Sequence, residues 1–255
     1  MKRFISIFKA EHYKTKGNIA VLLFLLCPFV AIAGIYIDLV IDVIKAEIVE
    51  VSNNPWIYLI GNRSQILYFF YPLLVAILTY SLCDMEYRNR NFKRLFTLPY
   101  PVHTIFTSKI TFLIEIMFLS SLIAFATFIA GGLIMSNVFP ALSFQDYDIR
   151  YTCFIFHIRL FISLLAVSSI QYSISLIFKN FVVPVGFGCF MVMFTLISQR
   201  SEKSFLNPFA SVLNSFSEFL SFQTISFSKY DYVCLIWIFI FLFINYFLFK
   251  RQKIN

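Results

Sequence analysis

Long apolar runs dominate the chain, and short polar or charged stretches separate them. Six runs are long enough to cross a bilayer, whose hydrocarbon core of about 30 Å takes about 20 helical residues. Since the apolar residues are continuous and do not alternate with polar ones, the pattern predicts helices rather than barrel strands. The fold class predicted is therefore an all-α membrane protein with six transmembrane helices, near residues 18–37, 64–83, 110–135, 158–178, 181–198 and 231–249.

Composition agrees with a chain whose solvent is mostly lipid, because 60% of its residues are hydrophobic and only 13% are charged. No stretch has the composition of a separate soluble domain, so residues 1–255 are predicted to form a single transmembrane domain. The net charge of +8 is therefore interpreted by its distribution along the chain, and no nucleic-acid partner is predicted.

Positive charge is unevenly distributed between the two sides of this predicted topology. Fourteen of the 21 Lys and Arg residues lie in the N-terminal segment, between the second and third spans, at Lys179 or in the C-terminal tail. Nine of the 13 acidic residues lie on the other side. Because basic loops stay in the cytoplasm, both termini and the segment between spans two and three are predicted to be cytoplasmic.

The segment before the first span predicts an amphipathic helix on the inner leaflet. Phe4, Ile5 and Phe8 follow helical spacing among Lys and Arg residues. Two alternatives are a frayed basic tail held by lipid charge, and the basic start of a cleavable signal ending near Ala33. Cleavage there would leave five spans.

No catalytic or metal-binding motif is present in the sequence. The seven glycines include no G-x-x-x-x-G-K-[ST] loop, so the chain is not expected to hold nucleotide phosphates by itself. The three histidines are far apart in sequence, and the five cysteines form no C-x-x-C pair. The protein is therefore predicted not to be an enzyme.

Polar residues inside the predicted spans are candidates for function because they are costly in lipid. Glu115 is expected either to pair with Lys109 or a loop arginine, or to contact substrate. A polar stripe of i, i+3, i+4, i+7 spacing in the fourth span is expected either to join helices or to line a substrate path. The stripe consists of Ser168, Gln171, Tyr172 and Ser175.

The segment between spans two and three predicts a short amphipathic helix along the inner membrane surface, ended by prolines. Such a helix suits docking to a cytoplasmic protein, although a charged loop that only anchors two spans is the alternative. The candidate docking residues are Glu86, Arg88, Arg90, Lys93, Arg94, Leu95, Phe96, Leu98 and Pro99. A second short helix, dipping into the outer leaflet, is predicted within residues 199–229.

The order of these parts resembles the ABC-2 type transporter permeases, in particular the six-span permeases of lantibiotic-immunity and peptide-export systems, including the phenol-soluble modulin type. The resemblance is carried by the N-terminal "KAEHYKTKGN" and by "LFTLPYPVHTIFTSK" after span two. Glu86, Arg94, Leu98, Pro99 and Lys109 occupy the matching positions. "PYP" and His103 depart from the residues that many relatives have there.

The resemblance implies a multi-pass permease of the bacterial cytoplasmic membrane whose segment between spans two and three is a coupling helix. It implies a separate cytoplasmic ABC ATPase, which would bind ATP and Mg²⁺, and a second permease, either a copy or a paralogue. Amphipathic or antimicrobial peptides are the implied substrate. The alternatives are a membrane-embedded sensor or assembly protein without transport of its own, and an ion-coupled secondary transporter.

Overall fold

The computed structural model describes residues 2–45, 54–63, 65–88, 91–97, 99–198, 201–220 and 227–252. These ranges contain α-helices and short 3-10 turns and no strand, which confirms the all-α class. The helices are α1 (Lys2–Thr15), α2 (Ile19–Ile44), α3 (Pro55–Arg63), α4 (Gln65–Tyr87), α5 (Asn91–Thr97), α6 (Val102–Val138), α7 (Arg150–Ile177), α8 (Val182–Ser198), α9 (Pro208–Leu220) and α10 (Lys229–Arg251).

Five of these helices are long and apolar enough to cross a membrane: α2, α4, α6, α7 and α10. The sixth predicted span coincides with α8, which has only 17 residues. A helix of that length rises about 25 Å, at the lower limit for a span. Six spans therefore remain a prediction, of which five are supported by helix length.

Helix α7 is the centre of the bundle and packs against α4, α6, α9 and α10. Its buried surface is unusually rich in serine, including Ser163, Ser169 and Ser173. Small side chains let neighbouring helices approach closely, and these hydroxyl groups donate to carbonyl oxygens one turn earlier in α7. By contrast, α2 and α10 expose large apolar side chains such as Leu22, Phe29 and Phe239, as lipid-facing helices do.

Helix α1 and the end of α10 lie at the same end of the bundle, with α1 packed on α6 and α5 packed beside the end of α10. We call this the terminal face, and the other end the opposite face. At the opposite face, α3 and α9 contact each other between the longer helices. The helix predicted within 199–229 is thus present as α9, and Phe209 and Val212 bury it within the bundle.

Trp56 of α3 fixes the opposite end of α6. Its indole nitrogen donates to the carbonyl oxygen of Phe144 at 3.1 Å. The ring lies so close to Gly132 that a Cβ atom there would overlap it. Gly132 is therefore required for this close approach between α3 and α6.

Candidate functional site

At the terminal face, α5 is attached to the bundle by aromatic side chains. Phe92 is buried, with ring centroids 5.1 Å from Tyr87 and 5.9 Å from Phe249. Phe96 lies 5.5 Å from Phe249, and Phe106 of α6 lies 5.6 Å from the same ring. The apolar side of α5 therefore contacts its own chain rather than remaining free for a partner.

The other side of α5 is exposed. Arg94 is exposed, and its carbonyl oxygen accepts a hydrogen bond from Thr97 Oγ1 at 2.8 Å. Leu95 is half-buried, and Pro99 is exposed beyond the helix. Just before α5, Arg88 Nε lies 2.6 Å from Asp84 Oδ2. Among the candidate docking residues, Arg90, Leu98 and the side chain of Lys93 lie outside what the structure describes.

Glu86 differs from the other candidates because it is only 3% exposed. Its Oε1 accepts hydrogen bonds from the ammonium groups of both Lys14 and Lys109. Lys109 Nζ also lies 2.7 Å from Glu11 Oε1, and Lys14 Nζ lies 3.9 Å from Glu11 Oε2. These four residues, which we call the ion cluster, connect α1, the end of α4 and the beginning of α6.

The ion cluster pairs the carboxylates of Glu11 and Glu86 with the side chains of Lys14 and Lys109, and burial together with the charge of Lys109 lowers the pKa of Lys14 to about 7. Burial alone would raise the pKa of Glu11, but the positive charges of Lys109 and Lys14 outweigh it and keep that pKa below its usual value. Glu11 is therefore ionised at neutral pH. Buried ion pairs contribute little net stability compared with apolar packing, but removing one partner is strongly destabilising. The cluster consequently fixes how three helices are positioned relative to one another.

The sequence suggested Lys109 or a loop arginine as the partner of Glu115, but among the residues that the structure describes Glu115 pairs with His12. Its Oε2 lies 3.0 Å from Nε2 of His12, and both side chains are partly exposed. The reason is the position of α1 along α6: the His12 ring packs 4.9 Å from Phe112, while Lys109 is already bound by the acids of the ion cluster.

The polar stripe of α7 lies inside the bundle. Ser168, Gln171, Tyr172 and Ser175 are all at most 5% exposed. The Gln171 amide lies against Gly188 of α8, where a Cβ atom would come within 2.8 Å of its Nε2. This geometry is that of a contact between helices of one chain. Substrate contact by the stripe or by Glu115 stays a prediction.

Two buried groups of paired charges were not predicted from the sequence. Glu11 and Lys14 of the ion cluster were not singled out, nor was the buried pair of Arg159 Nε and Asp231 Oδ2, 2.8 Å apart near the opposite face. The only local signal was that Ile7, Glu11, Lys14 and Thr15 follow helical spacing, which places charge on the same face as an apolar residue.

Comparison with known proteins identifies a family to which this chain is similar. A family model described as ABC-2 family transporter protein matches residues 7–195, about three quarters of the chain. The matched range includes α5 and all four residues of the ion cluster. Neither the curated proteins nor the solved structures include a match to this chain. Taken with the helical bundle, the match shows that the chain belongs to the ABC-2 transporter family, as a membrane permease subunit of an ABC transporter.

Proposed function

We propose that this permease exports amphipathic peptides, driven by a separate ABC ATPase that docks on α5 as a coupling helix. The observation that carries the proposal is that α5 has one exposed side and one side packed on its own bundle. One side of the helix exposes Arg94, while the other side is packed on Phe249. In the last turn of the preceding helix α4, Glu86 is held within the ion cluster.

Through its contacts, a displacement of α5 would be transmitted to α4, α7 and α10. Phe92 and Phe96 pack on α10. The Tyr87 hydroxyl donates to the carbonyl oxygens of Ser175 and Leu176, at the end of α7, at 3.1 and 2.8 Å. ATP and Mg²⁺ would bind the ATPase, and its closure on ATP would push α5 and thereby shift the ends of α4, α7 and α10 together.

The proposed orientation places the terminal face, with both chain ends, in the cytoplasm of a bacterial cell. It is supported by the excess of Lys and Arg on that side of the chain. An ATPase in the cytoplasm would then meet Arg94 directly. Two permeases, identical or paralogous, would pair with two ATPases to enclose a path.

Amphipathic peptides are proposed as cargo because the chain offers broad apolar faces to lipid. Exposed Leu26 and Phe29 of α2, and Phe190 and Phe194 of α8, are such positions. A peptide that partitions into the membrane could reach these faces laterally. A sensor or an assembly protein would not need ATP-driven movement of peptide, and an ion-coupled carrier would need an ion gradient instead.

Charge reversal on α5 tests the docking claim. We expect Arg94→Glu to weaken binding of the copurifying ABC ATPase by at least about tenfold, because one buried or partly buried charge-assisted contact is worth roughly 1.5–3 kcal/mol. ATP-driven uptake of a fluorescent amphipathic peptide into inside-out vesicles should fall in proportion. Arg94 suits the test because the structure places it on the exposed side of α5, whereas replacing Phe96 would also disturb packing on Phe249.

Lys16→Glu is the matched control, since Lys16 is an exposed cation of the same face that lies outside α5. Unchanged ATPase binding in Arg94→Glu would contradict docking on α5. Uptake by the wild-type protein that follows an ion gradient and ignores ATP would favour the carrier, and no uptake of any peptide would favour the sensor.

A further inference from the structure

A cavity of about 440 Å³ opens at the opposite face, between α8, α9 and α10. Its floor is apolar and aromatic, and includes Phe187, Phe194, Trp237 and Phe241. The volume is within the range of sites that hold small molecules. The rim of the cavity lies beyond residue 195, where the family match ends.

The rim of the cavity is polar and carries a positive charge. Ser198, Ser201 and Lys203 line it, and Lys203 is exposed. The Ser201 hydroxyl accepts a hydrogen bond from the backbone N–H of Lys203 at 3.3 Å, which leaves its own O–H free to donate. Glu202, the exposed neighbour of both residues, is not part of the lining.

Trp237 lies where the apolar floor of the cavity meets its polar rim. Its indole nitrogen donates to the carbonyl oxygen of Leu206 at 2.9 Å, and its ring centroid lies 5.5 Å from that of Phe241. Tryptophan held in this way is typical of the boundary between lipid chains and water. The lining of the cavity therefore changes from apolar to polar around Trp237.

We propose that this cavity binds one anionic phospholipid, with its phosphate at Lys203 and Ser201 and an acyl chain along the aromatic floor. The inference rests on the proposed orientation, which makes the lipid one of the outer leaflet. Charge selects the occupant: the rim attracts a phosphate and repels a cationic peptide. The floor selects a lipid over a free anion, since a free phosphate would leave the apolar surface exposed.

Tryptophan fluorescence offers a direct test that needs neither ATP nor transport. The chain has only two tryptophans, and the other one, Trp56, is 4% exposed at α3. The full-length protein would be placed in phosphatidylcholine nanodiscs that contain a small mole fraction of dibrominated phosphatidylglycerol, whose bromine atoms quench nearby indoles. Dibrominated phosphatidylcholine of the same chains gives the unselective level, and Trp237→Phe gives the contribution of Trp56.

We expect wild-type Trp237 to be quenched half-maximally at a mole fraction of phosphatidylglycerol about fivefold lower than that of phosphatidylcholine. That ratio corresponds to the electrostatic attraction that one lysine contributes near an anionic membrane surface. Lys203→Gln should remove the preference, and Ser198→Phe, which fills the cavity, should reduce quenching by both lipids. Lys229→Gln, an exposed lysine of the same face outside the lining, should keep the preference.

Equal quenching by the two lipids, unchanged in Lys203→Gln, would overturn the proposal and leave only unselective lipid contact. Competition by glycerol phosphate would show a site for free anions, and displacement by a cationic amphipathic peptide would show a cargo site. Either result would also overturn the proposal. Because no outcome depends on the ATPase, failure here is distinguishable from failure of the coupling proposal.

Discussion

The purified permease should lose on the order of 10 °C in Tm when Lys109 is replaced by Met, which is the scale of roughly 3–5 kcal/mol for a chain of this size. The substitution would leave Glu11 and Glu86 buried with the single ammonium group of Lys14. Two carboxylates that share one cation repel each other, and burial makes that repulsion costly. Thermal unfolding in detergent, followed by size-exclusion chromatography, measures the loss.

Lys9→Met is the matched control, since Lys9 is an exposed lysine of the same helix, and its Tm should change by no more than about 1–2 °C. The double variant Lys109→Met with Glu11→Gln restores charge balance and should recover more than half of the loss. A single Lys109→Met variant as stable as Lys9→Met would show that the ion cluster is not buried and connected as described.

Arg159→Met should destabilise the opposite face of the bundle, with a loss in Tm similar to that of Lys109→Met. The Arg159 side chain is 4% exposed, and its Nε and Nη2 donate to Asp231 Oδ2 at 2.8 Å and Ser228 Oγ at 2.7 Å. Without the guanidinium group, the fully buried Asp231 carboxylate loses its cation, which costs roughly 3–5 kcal/mol. The same carboxylate accepts from the backbone N–H of Ser228 at the start of α10, so that helix end should loosen.

A second arginine of α7 provides the control for this prediction. Arg150 pairs with Asp148 at 3.1 Å, but both side chains are more than 70% exposed, so Arg150→Met should cost at most about 1 kcal/mol. Adding Asp231→Asn to Arg159→Met removes the buried charge and keeps an oxygen for the cap, so Tm should partly recover. Equal Tm losses in Arg150→Met and Arg159→Met would contradict the burial of the pair.

Helix positions could be predicted from the sequence because lipid imposes a continuous apolar run on each span. The limits of the helices could not. The third span was predicted near 110–135, whereas α6 extends from Val102 to Val138. Hydropathy detects only the part in lipid, and the polar turns at the start of α6, from His103 to Lys109, are helical because α1 packs beside them.

The ion cluster could not be predicted because its partners are far apart along the chain. Glu11 and Lys109 are separated by 98 residues, and Lys14 and Glu86 by 72. Which charged side chains pair depends on the angle at which α1 crosses α6, and that crossing angle cannot be predicted from a sequence pattern. The same reason explains why Glu115, expected near Lys109, contacts His12 instead.

For the segment before α6, by contrast, the helix could be predicted from the sequence, whereas its contacts could not. Its helix and its terminating prolines follow from local rules, so α5 was expected from the alternation of charged and apolar residues. The sequence left open which apolar side chains face a partner. The structure places Phe92 and Phe96 against Phe249 of the same chain, and therefore leaves Arg94 as the principal exposed candidate among the described residues of α5.

Cross-linking from position 94 tests the coupling-helix proposal most directly. The variant would carry Arg94→Cys, with the half-buried Cys27 and the exposed Cys189 replaced by Ser, while the buried cysteines remain. A short maleimide–succinimide linker should join this position to the copurifying ABC ATPase, whereas Arg150→Cys on the opposite face should give no such product. An ATPase that copurifies but cross-links only from position 150, or from neither position, would contradict docking on α5.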